Sequence, residues 1–371
     1  MLAGVVGSAV VAGAGGYALG LNLGRGEQVI TVTQQRDIVR QTMLTTVRHM
    51  VTQSVTPTLQ PIRVRLTTSQ GALGLAPYQL IAYKDFNEGQ QIAKNAGLTI
   101  EGFNIVRGGG EVMKDLLEGR ADLVPGLEIM QAASQIEQTG GAVKIFYFCE
   151  YGNYYSLVVS PDSQYRSIDD LKRTVREGKR LKVGFSRPGS LSNAYIYILS
   201  NILNTRIGEG IEPVSLGEFD AIAAALSRGE IDCFPWSVSR TWGLEERGRG
   251  RIIFYFSDYL GNRWHDLCIA TTTDYMSKNQ EAIRRFVNYW RELVRIWQTN
   301  PDLSISLLKA EPPTGIGLTD SSARRWYSTL TPNPIGAPLR EALVEVDKYA
   351  KLIGLTKNPP PPDQWYTTQF L

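Results

Sequence analysis

Histidine and cysteine, the side chains most often used for nucleophilic or metal chemistry, are scarce in this chain. It contains two histidines and three cysteines. Two imidazoles are too few for a multi-histidine metal site, which leaves His265 rather than His49 as the one plausible imidazole base. Cys149, Cys233 and Cys268 form neither a CxxC pair nor an even disulfide framework, which favours buried free thiols. The sequence therefore predicts no metal site and argues against most hydrolase chemistry.

Two short motifs resemble catalytic signatures but fail on their spacing. The run Gly184-Phe185-Ser186-Arg187-Pro188-Gly189 has its second glycine one residue too late for a G-x-S-x-G nucleophile elbow. Neither the glycines at 108–110 nor Gly178 begins a G-x-x-x-x-G-K-[ST] phosphate loop, so any ATPase must be another chain. His265 with Cys268 stays open as a thiol and base pair, although both lie in a predicted strand where packing explains them.

Length and composition indicate a folded protein with room for two domains. The chain has 371 residues, of which 43% are hydrophobic and 20% charged. Lys plus Arg is 39 against 36 for Asp plus Glu, a net charge of +3. This charge is too small for a dedicated nucleic-acid binder, so we expect no DNA or RNA partner.

The amino-terminal residues 1–24 are predicted to meet a membrane. Leu2 to Leu21 carry no charge, and about 20 apolar residues cross a bilayer as a helix. The segment is rich in glycine and alanine and lacks the basic start of a secretory signal, with Arg25 the first charged side chain. It is therefore predicted to be a signal peptide or an anchor, and a glycine-dense core helix is the less favoured alternative.

Residues 25–61 are predicted to be a polar stalk or linker. They are rich in Thr, Gln, Val and Arg and show no sustained period of 2 or 3.6. Flexible linkers of this length span a few nanometres. A short amphipathic helix from Ile38 to Val51 is the competing interpretation.

The body of the chain begins with alternating strands and helices. Ile62, Val64 and Leu66 alternate with polar residues and predict a strand, which a glycine turn joins to a helix from Pro77. A strand over 98–105, a helix that ends at Gly119 and a short strand at 122–124 follow. This order is typical of an α/β domain.

The same order returns later in the chain. A strand over 181–185, a turn over 186–190 and a helix to about Leu203 are followed by a strand near 213–216 and a second helix. That helix ends in Gly229-Glu230-Ile231-Asp232, which lies 110 residues after Gly119-Arg120-Ala121-Asp122. Two similar α/β lobes are therefore predicted.

Two chain crossings are predicted to join these lobes as a hinge. The segments 144–161 and 266–272 are the crossings, so that lobe 1 comprises 62–155 and 268–371 and lobe 2 comprises 156–267. An apolar stripe over 283–297 predicts a long core helix. The proline run at 359–362 predicts an extended terminal arm anchored by three aromatic residues, Trp365, Tyr366 and Phe370.

The order and spacing of several short motifs resembles the extracytoplasmic solute-binding proteins of ABC importers. The relevant family binds nitrate, sulfonate, taurine and bicarbonate and includes thiamine-pyrimidine-binding members. The motifs are Gly71-Ala72-Leu73-Gly74-Leu75-Ala76-Pro77, Leu117-Glu118-Gly119-Arg120-Ala121-Asp122, Ser167-Ile168-Asp169-Asp170-Leu171 before Lys182-Val183-Gly184, Pro188-Gly189-Ser190, and Ala223-Ala224-Ala225-Leu226 with the second Gly-x-x-Asp. The likeness covers about residues 62–371. The chain departs from the family at Phe234-Pro235-Trp236-Ser237, where an aromatic-Asp-Pro run is common.

This resemblance implies an α/β fold of the type II periplasmic-binding-protein class, with two lobes joined by a two-crossing hinge and a ligand cleft between them. It implies a non-enzymatic, cofactor-free protein outside the cytoplasm that captures a small anionic or heterocyclic ligand. The partners implied are that ligand, an ABC permease and its separate ATPase chain, with membrane contact through residues 1–24. The alternatives are a thiamine-pyrimidine precursor-binding protein, a synthase-like enzyme of the same fold, and a sensory receptor.

The ligand is expected where strands end, because open α/β sheets bind ligands beyond the carboxyl ends of their strands. Helix amino termini there present free N–H groups that favour an anion. The second lobe is expected to contribute an anion cradle and a cation, which are Gly189, Ser190, Leu191, Ser192 and Arg187. The first lobe is expected to contribute donors from its turns, which are Ser69, Gln70, Gly71, Gly109 and Gly110.

Four further residues suggest a different ligand chemistry. Glu128 and Glu218 would repel a sulfonate and suit an amine or an aminopyrimidine. Trp236 and Tyr151 are placed to stack on a ring or to wall off an apolar tail. For every one of these candidate residues, ordinary helix capping or packing is the alternative role.

Overall fold

The structure is a computed structural model that describes residues 60–69, 87–106, 109–261, 263–310 and 316–371. The predicted membrane segment, nearly all of the predicted stalk, the helix from Pro77, and Gln70 and Gly71 lie outside these residues. Within the described ranges, every helix is too short or too polar to span a bilayer.

In the first sheet, a parallel pair of strands and an antiparallel group of three are joined by a single bridge. Its strands are β1 (Ile62–Ser69), β2 (Leu98–Val106), β3 (Val124–Glu128), β4 (Val143–Phe148) and β11 (Leu267–Thr272), in the spatial order β2-β1-β3-β11-β4. β1 pairs in parallel with β2 and meets the residue before β3 through a bridge between Leu66 and Leu123. β11 follows more than a hundred residues after β4 in the chain and pairs antiparallel with both β3 and β4.

The second sheet repeats this arrangement with strands of its own. They are β6 (Tyr155–Val159), β7 (Leu181–Phe185), β8 (Ile211–Ser215), β9 (Cys233–Ser237) and β10 (Arg251–Tyr255). Their order is β8-β7-β9-β6-β10, with β7 parallel to its neighbours and β6 antiparallel to β9 and β10. The two sheets therefore share the spatial order and the relative directions of their strands. Their connectivity differs, because β11 is the last strand of its sheet along the chain, whereas the corresponding β6 is the first.

Helices connect and cover the two sheets. The described helices are α1 (Asn87–Asn95), α2 (Gly109–Leu117), α3 (Ile129–Gln138), α4 (Ile168–Arg176), α5 (Leu191–Ile202), α6 (Phe219–Ser227), α7 (Val238–Glu246), α8 (Ser257–Leu260), α9 (Thr273–Lys278), α10 (Gln280–Thr299), α11 (Pro301–Lys309), α12 (Asp320–Thr329) and α13 (Arg340–Leu352). α10 is the predicted long helix, and its apolar stripe, including Phe286, Trp290 and Trp297, is fully buried. The burial of this stripe stabilises the fold through the hydrophobic effect.

The two Gly-x-x-Asp sequences have the same structural role, which is to end a helix and to bind its end to a strand. Gly119 and Gly229 adopt positive φ angles of 70° and 71°, which end α2 and α6 in a conformation that glycine adopts without strain. The following aspartates each accept a strand N–H, Asp122 from Arg65 at 2.8 Å and Asp232 from Lys182 at 2.7 Å. Each motif therefore fastens a helix end to the start of the neighbouring parallel strand.

The carboxyl-terminal part of the chain covers the crossings between the sheets. The first crossing contains β5 (Glu150–Tyr151), which pairs with β12 (Thr331–Pro332). α12 packs on α7 of the second sheet, whereas α13 packs against both α3 and α5. The terminal arm returns to the first sheet, where Tyr366 bridges Ile145 on the edge strand β4 and the neighbouring Trp365 is fully buried.

Candidate functional site

The predicted anion cradle is the turn that links β7 to α5. Ser190 caps α5, because its Oγ accepts the Asn193 N–H at 3.2 Å. Ser192 Oγ accepts the Ser186 N–H at 3.1 Å and lies 3.0 Å from Ser190 Oγ. These hydroxyl groups are therefore engaged inside the turn, which they hold at the amino terminus of a 12-residue helix. Leu191 is buried beneath it.

Glu128 ends β3 on the first sheet and occupies the N-cap position of α3. Its half-buried side chain makes no capping hydrogen bond and no other side-chain hydrogen bond to the described residues. Burial raises the pKa of this carboxyl group, and the positive charge of Arg187 opposes that rise. The exposed Arg187 lies in the β7–α5 turn, so the two sheets place opposite charges near each other.

Gln131 joins the two sheets directly. Its Nε2 donates a hydrogen bond of 2.9 Å to the carbonyl oxygen of Gly189. A Cβ atom at Gly109 would lie 3.0 Å from Gln131 Cγ, so the glycine leaves room for this side chain. The predicted residues Gly109, Glu128, Arg187 and Gly189 are thereby brought together. Gln131 could not be predicted from the sequence, because a glutamine on a helix has no local pattern that marks a long-range contact.

Aromatic side chains of the first crossing lie beside Glu128. Tyr155 stacks on Tyr195, with ring centroids 3.9 Å apart and planes at 3°. Asn153 accepts the Tyr155 N–H at 3.1 Å and donates to the Tyr195 hydroxyl group. Burial raises the pKa of Tyr155, and the nearby acid Glu128 adds to that rise. The aromatic composition of this crossing was the one sequence signal for Tyr155.

Two further acids lie buried at the crossings. Asp266 accepts the indole N–H of Trp264 at 2.6 Å, and burial raises its pKa to about 7. Glu150 accepts the Leu267 N–H at 2.6 Å through Oε1, whereas its buried Oε2 has no partner. Burial and the charge of Asp266 raise the pKa of Glu150 well above its ordinary value. Burial thus favours the neutral form of the Glu150 carboxyl group over the charged form.

His265 has no ring nitrogen available for catalysis. The Leu339 N–H donates to Nε2 at 2.9 Å, which places the ring proton on Nδ1, where it is donated to the Glu150 carbonyl oxygen at 2.7 Å. Burial lowers the pKa of this imidazole to about 4. The three cysteines are buried and form no disulfide bond with one another, in agreement with the sequence interpretation. Among the described residues no cluster of acids, histidines and cysteines is able to hold a metal ion.

In the described ranges, the remaining predicted residues make no hydrogen bond to Gln131 or Gly189. Tyr151 is half-exposed in β5, with its ring 5.6 Å from that of His265. Trp236 packs 5.5 Å from Phe219, the residue after the exposed Glu218 at the start of α6. Ser69 is buried at the end of β1, and Gly110 is exposed in the first turn of α2. No hydrogen bond within the described part of the chain connects these side chains to Glu128 or Arg187.

Comparison with known proteins places this geometry in a known fold. A family model described as "NMT1/THI5 like" matches residues 192–302. A search of curated proteins gives no significant match. The match to the family model confirms the resemblance predicted from the sequence.

Solved structures match nearly the whole described body. The Candida albicans CA3427 gene product, which has the generic periplasmic binding protein fold, aligns with a TM-score of 0.64 at 15% identity over 83% of this chain and 96% of its own. The Escherichia coli aliphatic sulphonate-binding protein SsuA aligns at 0.63 and 18% identity over 82% of this chain and 92% of its own. The nitrate-binding protein NrtA of Synechocystis PCC 6803 gives 0.62 and 10% over 84% and 87%. The predicted fold is therefore confirmed as the periplasmic-binding-protein fold.

Proposed function

We propose that this protein is the extracytoplasmic solute-binding component of an ABC importer. Residues 62–155 with 268–371 form its first lobe and residues 156–267 its second. The cleft between them closes on a small ligand, and the closed form delivers that ligand to a membrane permease served by a separate ATPase chain. Residues 1–24 act as a signal peptide or an anchor.

The observation that carries this proposal is the meeting of two strand ends. β3 of the first sheet and β7 of the second both end at the same place, where Gln131 contacts Gly189. Open α/β sheets bind ligands at such carboxyl ends. The sulfonate-binding and nitrate-binding proteins of the same fold support a small solute as cargo.

The charges at this place favour an anionic or heterocyclic ligand. Arg187 is exposed, and α5 directs its amino terminus to the same turn, so an anionic group gains both a cation and free N–H groups. Sulfonate, nitrate, taurine and bicarbonate are the anions we propose to test. A ligand at 100 times its dissociation constant stabilises the protein by about 2.7 kcal/mol.

Glu128 favours a thiamine-pyrimidine precursor as the second candidate. Its carboxyl group makes no side-chain hydrogen bond to the described residues and lies beside Tyr155. An aminopyrimidine would donate its amino hydrogens to this acid. A synthase-like enzyme of the same fold is less supported, because both ring nitrogens of His265 are engaged and the three thiols are buried.

The test is a thermal-shift screen of the full chain against anions and aminopyrimidines, followed by calorimetric titration. We expect a shift in one of these two classes. For an anion, Arg187→Gln is expected to weaken binding about 10-fold or more, since hydrogen bonds to charged groups contribute about 1.5–3 kcal/mol. For an aminopyrimidine, Glu128→Gln is expected to weaken binding and Arg187→Gln to leave it nearly unchanged.

The matched control is Arg176→Gln, which removes an exposed arginine on α4. It is expected to bind like the unaltered protein. Equal losses in Arg176→Gln and Arg187→Gln would mean that net charge, rather than the proposed site, governs affinity. The absence of a shift with every compound would contradict both proposed ligand classes.

A further inference from the structure

The segment that follows α13 is hydrogen-bonded through its backbone to side chains of α3. Ser134 Oγ donates to the Leu355 carbonyl oxygen at 3.0 Å. One turn further along α3, the Glu137 carboxylate accepts the Lys357 N–H at 3.0 Å and also accepts the Asn358 N–H. Hydrogen bonds to an ionised acceptor are stronger than neutral ones. Residues 353–358, here called the strap, are thus fastened to one face of α3.

The same segment reaches the second lobe. A Cβ atom at Gly189 would lie 3.3 Å from Leu355 Cδ1, so the strap covers the turn at the start of α5. Directly before the strap, α13 packs against α5, and the Tyr349 hydroxyl group accepts a hydrogen bond of 3.2 Å from Asn201. The strap and α13 therefore touch the second lobe while they are held by α3 of the first.

Gln131 continues this series of contacts along α3. It lies one turn before Ser134 and donates to the Gly189 carbonyl oxygen, in the turn that Leu355 covers. Residues three apart on a helix share a face, so Gln131, Ser134 and Glu137 form one polar row. One end of this row holds the second lobe and the other end holds the strap.

We propose that the strap and Gln131 together restrain the separation of the two lobes. The crossings alone leave two lobes free to rotate about a hinge. Here, separation has to break the contact between Gln131 and Gly189 and to pull the turn at Gly189 away from Leu355. The restraint goes beyond the proposed solute binding, because it acts on the ligand-free protein.

The test measures the distance between the lobes without any ligand. Spin labels on Lys114→Cys in α2 and Arg176→Cys in α4 report the distance, since both positions are exposed and the three native cysteines are buried. Gln131→Ala with Glu137→Ala is expected to broaden the distance distribution and shift it to longer values. The matched control is Gln135→Ala on the same helix, because among the described residues the Gln135 side chain hydrogen-bonds to Gln138 alone.

Hydrogen exchange of the Lys357 and Asn358 amides shows whether the strap has been released. In Glu137→Ala we expect exchange about 10- to 100-fold faster, as follows from the loss of charge-assisted hydrogen bonds. Glu137→Gln keeps an acceptor oxygen and is expected to give an intermediate exchange rate. It replaces Glu137→Ala in this experiment if the alanine variant folds poorly. Faster exchange with an unchanged distance distribution would overturn the proposal, and so would unchanged exchange.

Discussion

The helices that end at Gly119 and Gly229 meet their strands through the same backbone contacts but fill the space between helix and strand differently. The Arg120 N–H donates to the Asp115 carbonyl oxygen at 2.8 Å, and the Glu230 N–H donates to that of Ala225 at 3.0 Å. Asp115 in α2 and Ala225 in α6 therefore occupy equivalent positions, each between its helix and the neighbouring parallel strand. By the same correspondence, Thr67 of β1 matches Gly184 of β7.

In the first sheet this place is polar. The Asp115 carboxylate, whose residue is only 6% exposed, accepts hydrogen bonds from Thr67 at 3.0 Å, Asn104 at 2.9 Å and Arg120 at 2.8 Å. The hydrogen bonds from these donors lower its pKa, although burial opposes them. Such a network is stable only when each of its members has a partner.

In the second sheet the same place is small and apolar. Gly184 faces Ile231, Ile222 and Leu216, and a Cβ atom there would lie only 2.6 Å from Ile231 Cδ1. Ala225 is fully buried. The repeated motif therefore fixes the backbone geometry, whereas the side chains packed against it are polar in the first sheet and small and apolar in the second.

Removing the polar network is expected to have the largest effect. Asp115→Ala leaves the buried Thr67 hydroxyl group and the Arg120 guanidinium without this acceptor, and we expect the free energy of unfolding to fall by about 3 kcal/mol. Urea denaturation measures the change. The control at the matching place is Ala225→Gly, for which about 1 kcal/mol is expected. Equal losses in the two variants would contradict the difference between the sheets.

Filling the small apolar place is expected to have the next largest effect. Gly184→Ala overpacks the space beside Ile231, with an expected loss of about 1–3 kcal/mol in the free energy of unfolding. Gly110→Ala is the control, because a Cβ atom there meets nothing within 4 Å. If both alanine variants were equally stable in denaturation, the second sheet would be less tightly packed than described.

The smallest expected effect lies at the cleft ends of the two sheets, where Glu128 and Ser237 occupy the N-cap positions of α3 and α7 without a side-chain capping hydrogen bond. Burial raises the pKa of Glu128 above its ordinary value, so the folded protein holds this proton more tightly than the unfolded chain. Its contribution to stability is complete below that ordinary value, about 4.5, and declines as the pH rises through the folded-state pKa. We expect this decline in stability with rising pH to be absent in Glu128→Gln.

Melting temperatures between pH 4 and pH 8 measure this effect. The unaltered protein also contains Glu150 and Asp266, whose pKa values burial raises, so a decline is expected to persist in every variant. Only the difference between variants is informative. Ser237→Ala is expected to follow the pH profile of the unaltered protein, and a Glu128→Gln profile parallel to it would show that Glu128 is freely solvated.

Much of the fold could be predicted because its signals are local. Alternation identified β1, the apolar stripe identified α10, and glycines marked the ends of α2 and α6. The third strand of the first sheet begins at Val124 rather than at Asp122, because Asp122 is used to accept the Arg65 N–H. The spacing of similar motifs predicted that the two lobes correspond, and their sheets do share one spatial order of strands.

The rest could not be predicted because it depends on contacts between distant residues. The pairing of β12 with β5 and the packing of α13 on both α3 and α5 join segments more than a hundred residues apart. At the candidate site, the sequence indicated Glu128, Arg187 and the β7–α5 turn from their types and positions. It did not indicate Gln131 or the engagement of the Ser192 hydroxyl group, since a hydrogen-bond partner depends on where the backbone goes.

The terminal arm has a consequence for the order in which the chain folds as it is synthesised. The second sheet is built from one continuous stretch between Tyr155 and Tyr255, so all of its strands are synthesised before β11 of the first sheet. The first sheet waits for β11, and its edge strand β4 waits for the arm, where Ile145 exchanges hydrogen bonds with Trp365 and Thr367. Until residues 365–367 have been synthesised, β4 lacks these hydrogen bonds. The strands of the second sheet are therefore all available for pairing before the first sheet has its full set, and the arm adds its contacts to the first sheet afterwards.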